Sequence, residues 1–270
     1  MKPRTINVHR YPAAHPEGRP PLLFVHGAYT DGRCWVQHFI PFFRDAGYDC
    51  YAIDLSGHGA SSGHDTLDQF GLDDYVEDLA GVVDSLPAPP VLVAHSMGCV
   101  VVQRYLETGR AAAVAFLSPV PPTGTGGAAS RLAMSNPEFF TELPKAVSGH
   151  ATRKTLEVMG KVYFSPEMPP GDILQYLPII QPESELAVTE MLTIAFRPSR
   201  RRPAIPALVM GGAFDAVFPA SMLYFTALSW RAATLVIPGA GHMLMLDPQW
   251  EDAAGKLLAW VEGVKAGLPG

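Results

Sequence analysis

Short apolar runs rich in Val, Leu, Ile and Phe alternate along the chain with longer segments in which apolar positions recur at helical spacing. The apolar runs span residues 22–25, 50–53, 91–94, 114–117, 207–210 and 234–237. Helical patterns lie between them, at about 34–46, 73–86, 97–109, 219–230 and 248–265. Unbroken apolar runs of this length are typical of parallel strands that are buried on both faces. The pattern therefore predicts an α/β fold, with a mostly parallel central sheet and helices on both faces.

The alternation stops between residues 120 and 203, in a stretch that is rich in proline and shows no strand pattern. This stretch follows the apolar run that ends at Leu117. We therefore expect a helical insertion at 120–203 within a core formed by residues 1–119 and 204–270. Some of its large apolar side chains are expected to pack the inserted helices together, and others to roof a pocket. These residues are Phe139, Phe140, Met159, Tyr163, Phe164, Met168, Tyr176, Met191 and Phe196.

The composition fits a folded globular domain and excludes several classes of partner. Of the 270 residues, 48% are hydrophobic and 17% are charged, which excludes a disordered chain. The formal net charge is −6, and the one basic run, at 200–202, is too short to bind a phosphate backbone, so we expect no nucleic-acid partner. No apolar run has the length of a signal peptide or a membrane span. A cytoplasmic location is the expectation that follows.

Nothing in the sequence suggests a metal or a cofactor. Cys34, Cys50 and Cys99 are an odd number of cysteines without C-x-x-C spacing, so we expect neither a disulfide framework nor a zinc site. The phosphate-binding loop and the H-E-x-x-H metal helix are also missing from the sequence. The candidate chemistry therefore rests on side chains alone.

A serine stands at the point where a buried strand pattern gives way to a helical one. Residues 91–101 have the sequence VLVAHSMGCVV, with Ser96 at the junction. A serine hydroxyl is a weak nucleophile at neutral pH, and a sharp turn at this place would present it to a base. Such a turn needs small residues on both sides; Gly98 meets this need, and Ala94 stands where glycine is usual. The alternative role of Ser96 is that of an ordinary helix N-cap.

Two further strand patterns end in a glycine turn that is followed by a titratable residue. Residues 209–215 have the sequence VMGGAFD and end on Asp215, and residues 235–242 have the sequence LVIPGAGH and end on His242. The carboxyl ends of parallel strands meet at the edge of the sheet where ligands bind. We therefore expect a triad in which Ser96 is the nucleophile, His242 the general base and Asp215 the acid that orients the histidine.

Several segments together resemble the α/β-hydrolase family, and the resemblance covers nearly the whole chain. They are 26–27 (HG), 54–61 (DLSGHGAS), 95–98 (HSMG), 212–215 (GAFD) and 238–242 (PGAGH). The resemblance implies an esterase-like or lipase-like serine hydrolase in which residues 120–203 form a helical cap. It also implies that the backbone N–H groups of Ala28 and Met97 form the oxyanion hole. One strand pattern, at about 5–11, precedes residue 22, so the first strand of the family is missing here.

The expected reaction is hydrolysis of a carboxylic ester, thioester, lactone or lipid monoester of a small, largely apolar molecule, without a cofactor. Carbon–carbon bond hydrolases, perhydrolases and hydroxynitrile lyases use the same three residue types on this fold, and a non-enzymatic ligand receptor also stays open. The perhydrolase alternative is weakened because Ala28 and Tyr29 follow His26-Gly27 without a proline. Epoxide hydrolases and dehalogenases of the family carry an aspartate nucleophile, and Ser96 argues against both. The sequence does not fix the oligomeric state.

Other polar residues near these motifs are expected to be structural. His26 and His95 are predicted to support the loops that follow their strands, and Asp54 and His58 to stabilise a turn. For Asp31, a place in a solvated loop and a contact with substrate are both open.

Overall fold

The computed structural model describes residues 4–16, 18–193 and 202–267, and within these ranges a single sheet forms the centre of the molecule. Its strands are β1 (Val8–Tyr11), β2 (Leu22–Val25), β3 (Cys50–Ile53), β4 (Val91–His95), β5 (Ala113–Leu117), β6 (Ala207–Gly212) and β7 (Ala233–Ile237). Their order is β1-β3-β2-β4-β5-β6-β7. β1 is antiparallel to β3, and the other pairs in this sheet are parallel. The predicted mostly parallel sheet is confirmed.

Burial along the strands explains why the sequence shows unbroken apolar runs. Every residue of β2 to β6 is buried, whereas the two edge strands are partly exposed. Helices cover both faces of the inner strands, so neither face needs polar side chains. Alternating polar and apolar positions are therefore missing from the central strands.

Ten α-helices are described. They are α1 (Phe39–Asp45), α2 (Leu72–Ser85), α3 (Met97–Tyr105), α4 (Gly126–Ser135), α5 (Phe139–Val147), α6 (Arg153–Tyr163), α7 (Pro170–Ile173), α8 (Glu185–Thr193), α9 (Ala220–Trp230) and α10 (Trp250–Gly267). Leu79 of α2 and Leu223 of α9 belong to the apolar cluster on one face of the sheet. Phe43 of α1 and Leu257 of α10 belong to the cluster on the other face. The predicted helices on both faces are thus confirmed.

Two of the predicted helix boundaries are wrong. A 3-10 turn at Gly32–Trp35 precedes α1, which begins at Phe39 and not near residue 34. Pro41 lies in the first turn of α1, where its missing N–H breaks no helical bond, whereas it would interrupt a helix that began at 34. The helix predicted at 97–109 ends at Tyr105, because residues 106–108 form a turn and the hydroxyl of Tyr105 bonds to the backbone of Arg110.

The helices α4 to α8, together with a 3-10 helix at Leu174–Ile179, lie between β5 and β6. The described part of this inserted segment contains no strand. Part of it packs as a separate apolar cluster, formed by Leu132, Phe139, Ala146, Val158, Met159 and Val162. Residues 194–201, which include Phe196 and most of the basic run at 200–202, lie outside the described residues.

Hydrogen bonds join the inserted segment to loops of the core. Nε2 of Gln181 donates to the Asp31 carboxylate at 2.9 Å, and the Ser184 hydroxyl donates to the carbonyl of Phe70 at 2.6 Å. Such bonds fix the inserted segment over the carboxyl ends of the strands. No helix in the described part of the chain has both the length and the apolar character that membrane crossing requires.

Candidate active site

Ser96 lies on a strained turn between β4 and α3. Its backbone has φ 49° and ψ −115°, outside the regions that L-residues normally occupy, and its side chain makes no capping bond to α3. Ser96 thus occupies the N-cap position of α3, but its hydroxyl does not cap the helix. Gly98 shows why the turn needs a small residue, because a Cβ at this position would collide with the carbonyl oxygens of His26 and Val25.

His242 and Asp215 form a buried pair. Nδ1 of His242 lies 2.8 Å from Oδ2 of Asp215, and both side chains are buried. The N–H groups of Val217 and Phe218 donate to Oδ1 of Asp215 at 2.8 and 2.7 Å, which fixes the carboxylate. Since a carboxylate accepts, Nδ1 donates, and Nε2 is the nitrogen left to act as a base.

The backbone carbonyl of His242 is held by two further side chains. The Ser118 hydroxyl and Nε2 of His95 each donate to it at 3.1 Å. Ser118 also has a positive φ, 44°, so strained backbone occurs at two neighbouring strand ends, those that follow β4 and β5. Burial, and then the neighbouring His242, lower the pKa of His95 well below its usual range, so this imidazole is neutral. The sequence indicates Ser118 only as the residue after a strand and gives no sign of its bond to His242.

Ser96, His242 and Ala28 line one cavity of about 370 Å³. The loop that carries Ala28 passes close to Ser96, because a Cβ on Gly27 would lie 3.0 Å from Cβ of Ser96. Met97 is fully buried and does not line the cavity. Within the described ranges, the backbone N–H groups of Ala28 and Met97 donate to no other group of the chain.

The rest of the cavity wall is mostly apolar, and its described residues include no Lys, Arg, Asp or Glu. Much of it comes from the inserted segment. The contributing residues are Val120, Thr125, Ala128, Ala129, Leu132, Phe139, Phe140, Leu143, Met159, Tyr163, Phe164, Ile173, Tyr176, Ile179, Ile180, Val188, Met191 and Leu192. Of the large apolar residues singled out in the sequence, Met168 instead packs in a core cluster.

The other sequence candidates brace the loops around the cavity. Nε2 of His26 accepts from the Leu55 N–H at 3.1 Å and Nδ1 donates to the carbonyl of Gly27 at 2.8 Å, so this ring joins two loops. Asp54 accepts from the N–H groups of Gly32 and Ala60 at 2.8 and 2.9 Å. Burial disfavours its charged form, but these bonds and those from neighbouring side chains hold the pKa of Asp54 below its usual range.

Two further candidates are bound within the protein rather than at the cavity. Asp31 binds Arg33 through a contact of 2.6 Å and does not line the cavity. Nε2 of His58 lies 3.2 Å from Oε2 of Glu183 in the inserted segment, and both side chains are completely buried. These two contacts are structural.

The cysteines do not take part in the site. Cys34, Cys50 and Cys99 are free and buried, and burial raises the pKa of all three thiols, which keeps them protonated. Among the described residues, no group of three His, Cys, Asp or Glu side chains has the arrangement of a metal site.

Comparison with known proteins gives a consistent fold. BpoC of Mycobacterium tuberculosis, whose name proposes a non-heme bromoperoxidase, is 27% identical over 83% of this chain and 87% of its own length. Its crystal structure superposes with a TM-score of 0.76 at 22% identity, covering 96% of each chain. A thermophilic esterase from Thermogutta terrifontis superposes with a TM-score of 0.70 at 20% identity, covering 96% of this chain and 93% of the esterase.

A second relative by sequence matches over a shorter stretch. Epoxide hydrolase A of Mycobacterium tuberculosis is 36% identical over 116 residues, which are 39% of this chain and 36% of that protein. The alignment thus spans about a third of the epoxide hydrolase. The family model described as Alpha/beta hydrolase family matches residues 22–253, which is well over half of the chain. The protein therefore belongs to the alpha/beta hydrolase family.

Proposed function

We propose that this protein is a serine hydrolase that cleaves a carboxylic ester of a small, largely apolar molecule through an acyl-enzyme on Ser96. One observation carries the proposal: His242, which is held by Asp215 at 2.8 Å, lines the same cavity as Ser96. A nucleophile on a strained turn, a base and an orienting acid are what acyl transfer by serine requires.

In this mechanism each group has a defined role. Nε2 of His242 removes the hydroxyl proton as Ser96 attacks the acyl carbon, and Asp215 stabilises the imidazolium that forms. The N–H groups of Ala28 and Met97 meet the developing oxyanion, and one such donor is typically worth ~3–4 kcal/mol of barrier. His242 then gives its proton to the leaving alcohol. A water activated by the same histidine cleaves the acyl-enzyme.

We assign residues 120–203 as the cap over a core of residues 1–119 and 204–270. The inserted helices supply most of the apolar wall, and the described residues of that wall include no charged Lys, Arg, Asp or Glu, which favours an uncharged substrate. Burial of one CH₂ group is worth up to ~0.8 kcal/mol, so a few added carbons would raise kcat/KM by ~10-fold until the cavity is full. Thioesters, lactones and lipid monoesters fit the same wall.

The second candidate is acyl transfer to hydrogen peroxide, which is the perhydrolase reaction. The similarity to BpoC, whose name proposes a non-heme bromoperoxidase, favours this candidate. A perhydrolase would form the same acyl-enzyme on Ser96 and release a peracid instead of an acid. Peracid formation, measured against ester hydrolysis at equal substrate concentration, separates the two reactions. Epoxide opening is disfavoured, because it requires an aspartate where this chain has Ser96.

The test of the proposal is Ser96→Ala. We expect complete loss of labelling by a fluorophosphonate probe and a fall in kcat of ~10⁴-fold, with an unchanged unfolding temperature. Ser135→Ala, at an exposed position of α4, is the matched control and should keep the labelling and the kcat of the wild type. Activity is measured on p-nitrophenyl esters from acetate to palmitate and on a dicarboxylate monoester. Near wild-type turnover by Ser96→Ala would refute the mechanism, and a preference for the charged ester would refute the apolar substrate.

A further inference from the structure

Two tyrosines interrupt the apolar wall beside the proposed reacting groups. Tyr29 directly follows Ala28 in the loop next to Ser96, and Tyr163 is the last residue of α6. The ring of Tyr163 lies 5.9 Å from the ring of His242, centroid to centroid. Both tyrosines line the cavity, so each is placed next to a group that the proposed mechanism uses.

The backbone of Tyr29 holds an unfavourable conformation that fixes where its side chain points. Its φ is 62°, in the left-handed region that a bulky L-residue rarely adopts. The carbonyl of Tyr29 accepts from the N–H of Gln181 in the inserted segment at 3.0 Å, and the Thr30 hydroxyl donates to the carbonyl of Gly27 at 3.2 Å. Strain of this kind persists where the surroundings fix it, and such places are commonly functional.

Tyr163 is fixed from the other side of the cavity. Its carbonyl accepts from the N–H of Met243, one residue after His242, at 3.0 Å, so its position is tied to the histidine loop. Burial raises the pKa of the Tyr163 phenol, and the nearby Tyr29 raises it further. Burial also raises the pKa of the Tyr29 phenol, so both phenols remain neutral hydrogen-bond donors.

Neither phenol uses its hydroxyl within the protein. In the described part of the chain, no hydrogen bond joins the hydroxyl of Tyr29 or Tyr163 to another residue, and neither oxygen is sealed from the cavity. Two phenylalanines would fill the same space without polar atoms. A pair of unused donors in an apolar wall is therefore suited to a polar atom of a ligand.

We propose that Tyr29 and Tyr163 form a hydrogen-bonding subsite for an uncharged oxygen, a keto or hydroxyl group, on the acyl part of an otherwise apolar ester. The subsite rests on the proposed ester hydrolysis at Ser96 and narrows its substrate class. A carboxylate in this place would lack a cationic partner among the described lining residues, which include no Lys or Arg. A plain alkyl ester would leave both hydroxyls without a partner.

The test compares p-nitrophenyl hexanoate with its 5-oxo analogue in Tyr29→Phe, Tyr163→Phe and the double variant. A neutral hydrogen bond predicts that each single variant lowers kcat/KM for the oxo ester by about 3- to 10-fold, mainly through KM, with less than about 2-fold change for the hexanoate. Taking the ratio of the two esters for each variant removes their difference in intrinsic reactivity. Tyr224→Phe is the matched control: Tyr224 is exposed on α9 and does not line the cavity, so its substitution should leave the ratio unchanged.

A second measurement keeps the subsite and the hydrolase mechanism distinguishable. Each variant is labelled with a fluorophosphonate, and its affinity for 2,6-heptanedione is compared with that for 2-heptanone by calorimetry. The subsite is overturned if the variants are labelled normally and the ratio of kcat/KM for the two esters stays at its wild-type value. An equal fall in kcat/KM for both esters has the same meaning, and both results leave the hydrolase proposal intact. No labelling of the wild type would refute the hydrolase proposal. In that case, equal affinity for the two ketones would overturn the subsite as well, and a diketone preference lost in both Tyr→Phe variants would support it.

Discussion

Two fully buried pairs of a histidine and a carboxylate occur in the described part of the chain, and they lie in different surroundings. The pair His242–Asp215 is 2.8 Å apart and has one ring nitrogen left toward the cavity. The pair His58–Glu183 is 3.2 Å apart and is completely enclosed, with Nδ1 of His58 donating to the carbonyl of Ser56 at 3.1 Å. The first pair keeps a nitrogen free for chemistry, whereas in the second both ring nitrogens of His58 face buried groups of the protein. Access to the second nitrogen, rather than the pair itself, separates a candidate base from a structural contact.

The two pairs also differ in what they join. Glu183 belongs to the inserted segment and accepts from the Tyr75 hydroxyl and the Ser184 N–H, both at 2.8 Å, while His58 belongs to a core loop. The enclosed pair therefore ties the inserted segment to the core. His242 and Asp215 both follow strands of the core, so their contact does not depend on the inserted segment. Loss of the His242–Asp215 pair should remove activity, whereas loss of the His58–Glu183 pair should lower stability.

The largest expected effect comes from His242→Gln. Removing the proposed base should lower kcat/KM by ~10³- to 10⁴-fold and leave the unfolding temperature nearly unchanged. Ester hydrolysis and thermal unfolding, measured on the same preparation, check both parts. An active His242→Gln protein would show that another residue is the base.

His58→Gln is the matched variant in the enclosed pair. It leaves Glu183 buried without a cationic partner, which costs ~3–5 kcal/mol of the free energy of unfolding. For a chain of this size each kcal/mol corresponds to a few degrees of unfolding temperature. Activity of the folded variant should stay within a few-fold of wild type. If His58→Gln lost activity and kept its stability, the distinction between the pairs would be wrong.

The next prediction concerns pH and uses Glu183→Gln. Burial opposes both charges, but the charge of Glu183 raises the pKa of His58, and the charge of His58 lowers the pKa of Glu183. The raised histidine stabilises the fold fully below its unfolded pKa of ~6.5, and this contribution is lost as pH rises through the folded pKa. The lowered glutamate stabilises the fold above its unfolded pKa of ~4.3, and this is lost as pH falls through the folded pKa.

The pair therefore contributes most between pH ~4.3 and ~6.5. Urea unfolding of wild type and Glu183→Gln at pH 5.5 and pH 8.5 measures the difference. We expect the wild-type advantage to be larger at pH 5.5, by about 1–2 kcal/mol. His26, whose ring lies 5.1 Å from that of His58, has its pKa lowered by burial and by His58, so its charged form is disfavoured. An advantage that is equal at both pH values would rule out a charged His58.

How far the sequence predicts this arrangement differs between the strand ends and the loops. Ser96, Asp215 and His242 stand out because each follows a strand pattern, and parallel strands end at one edge of the sheet. The structure brings all three to that edge, although their roles stay predictions. The His58–Glu183 contact joins residues on separate loops, and no spacing rule relates two such positions. Sequence patterns predict what a strand end presents and not how the loops meet.

The same limit applies to Ser118, whose partner is the backbone carbonyl of His242, 124 residues further along the chain. A hydrogen bond to a backbone carbonyl leaves no trace in the partner's side chain. The start of α1 is a different case, because the sequence itself shows the Pro41 that prevents an earlier start.

The smallest expected effect on activity concerns Ser118, which supports the histidine of the His242–Asp215 pair. Its hydroxyl is one of two donors to the carbonyl of His242, and Nε2 of His95 is the other. Ser118→Ala should therefore lower kcat by about 3- to 10-fold without a change in KM, because the histidine loses part of its support and the substrate wall is unaltered.

Backbone strain at Ser118 allows the bond to be separated from the conformation. With φ at 44°, Ala keeps the strain of the serine, whereas Gly relieves it. If the hydroxyl positions His242, Ser118→Ala and Ser118→Gly should show the same loss of kcat, although the glycine variant unfolds at a higher temperature than the alanine variant. If the strained backbone, and not the hydroxyl, supported catalysis, only the glycine variant would lose activity. If both variants kept the wild-type kcat, His95 alone would be sufficient to hold His242. Ser118 would then contribute nothing to the difference between the His242–Asp215 pair and the His58–Glu183 pair.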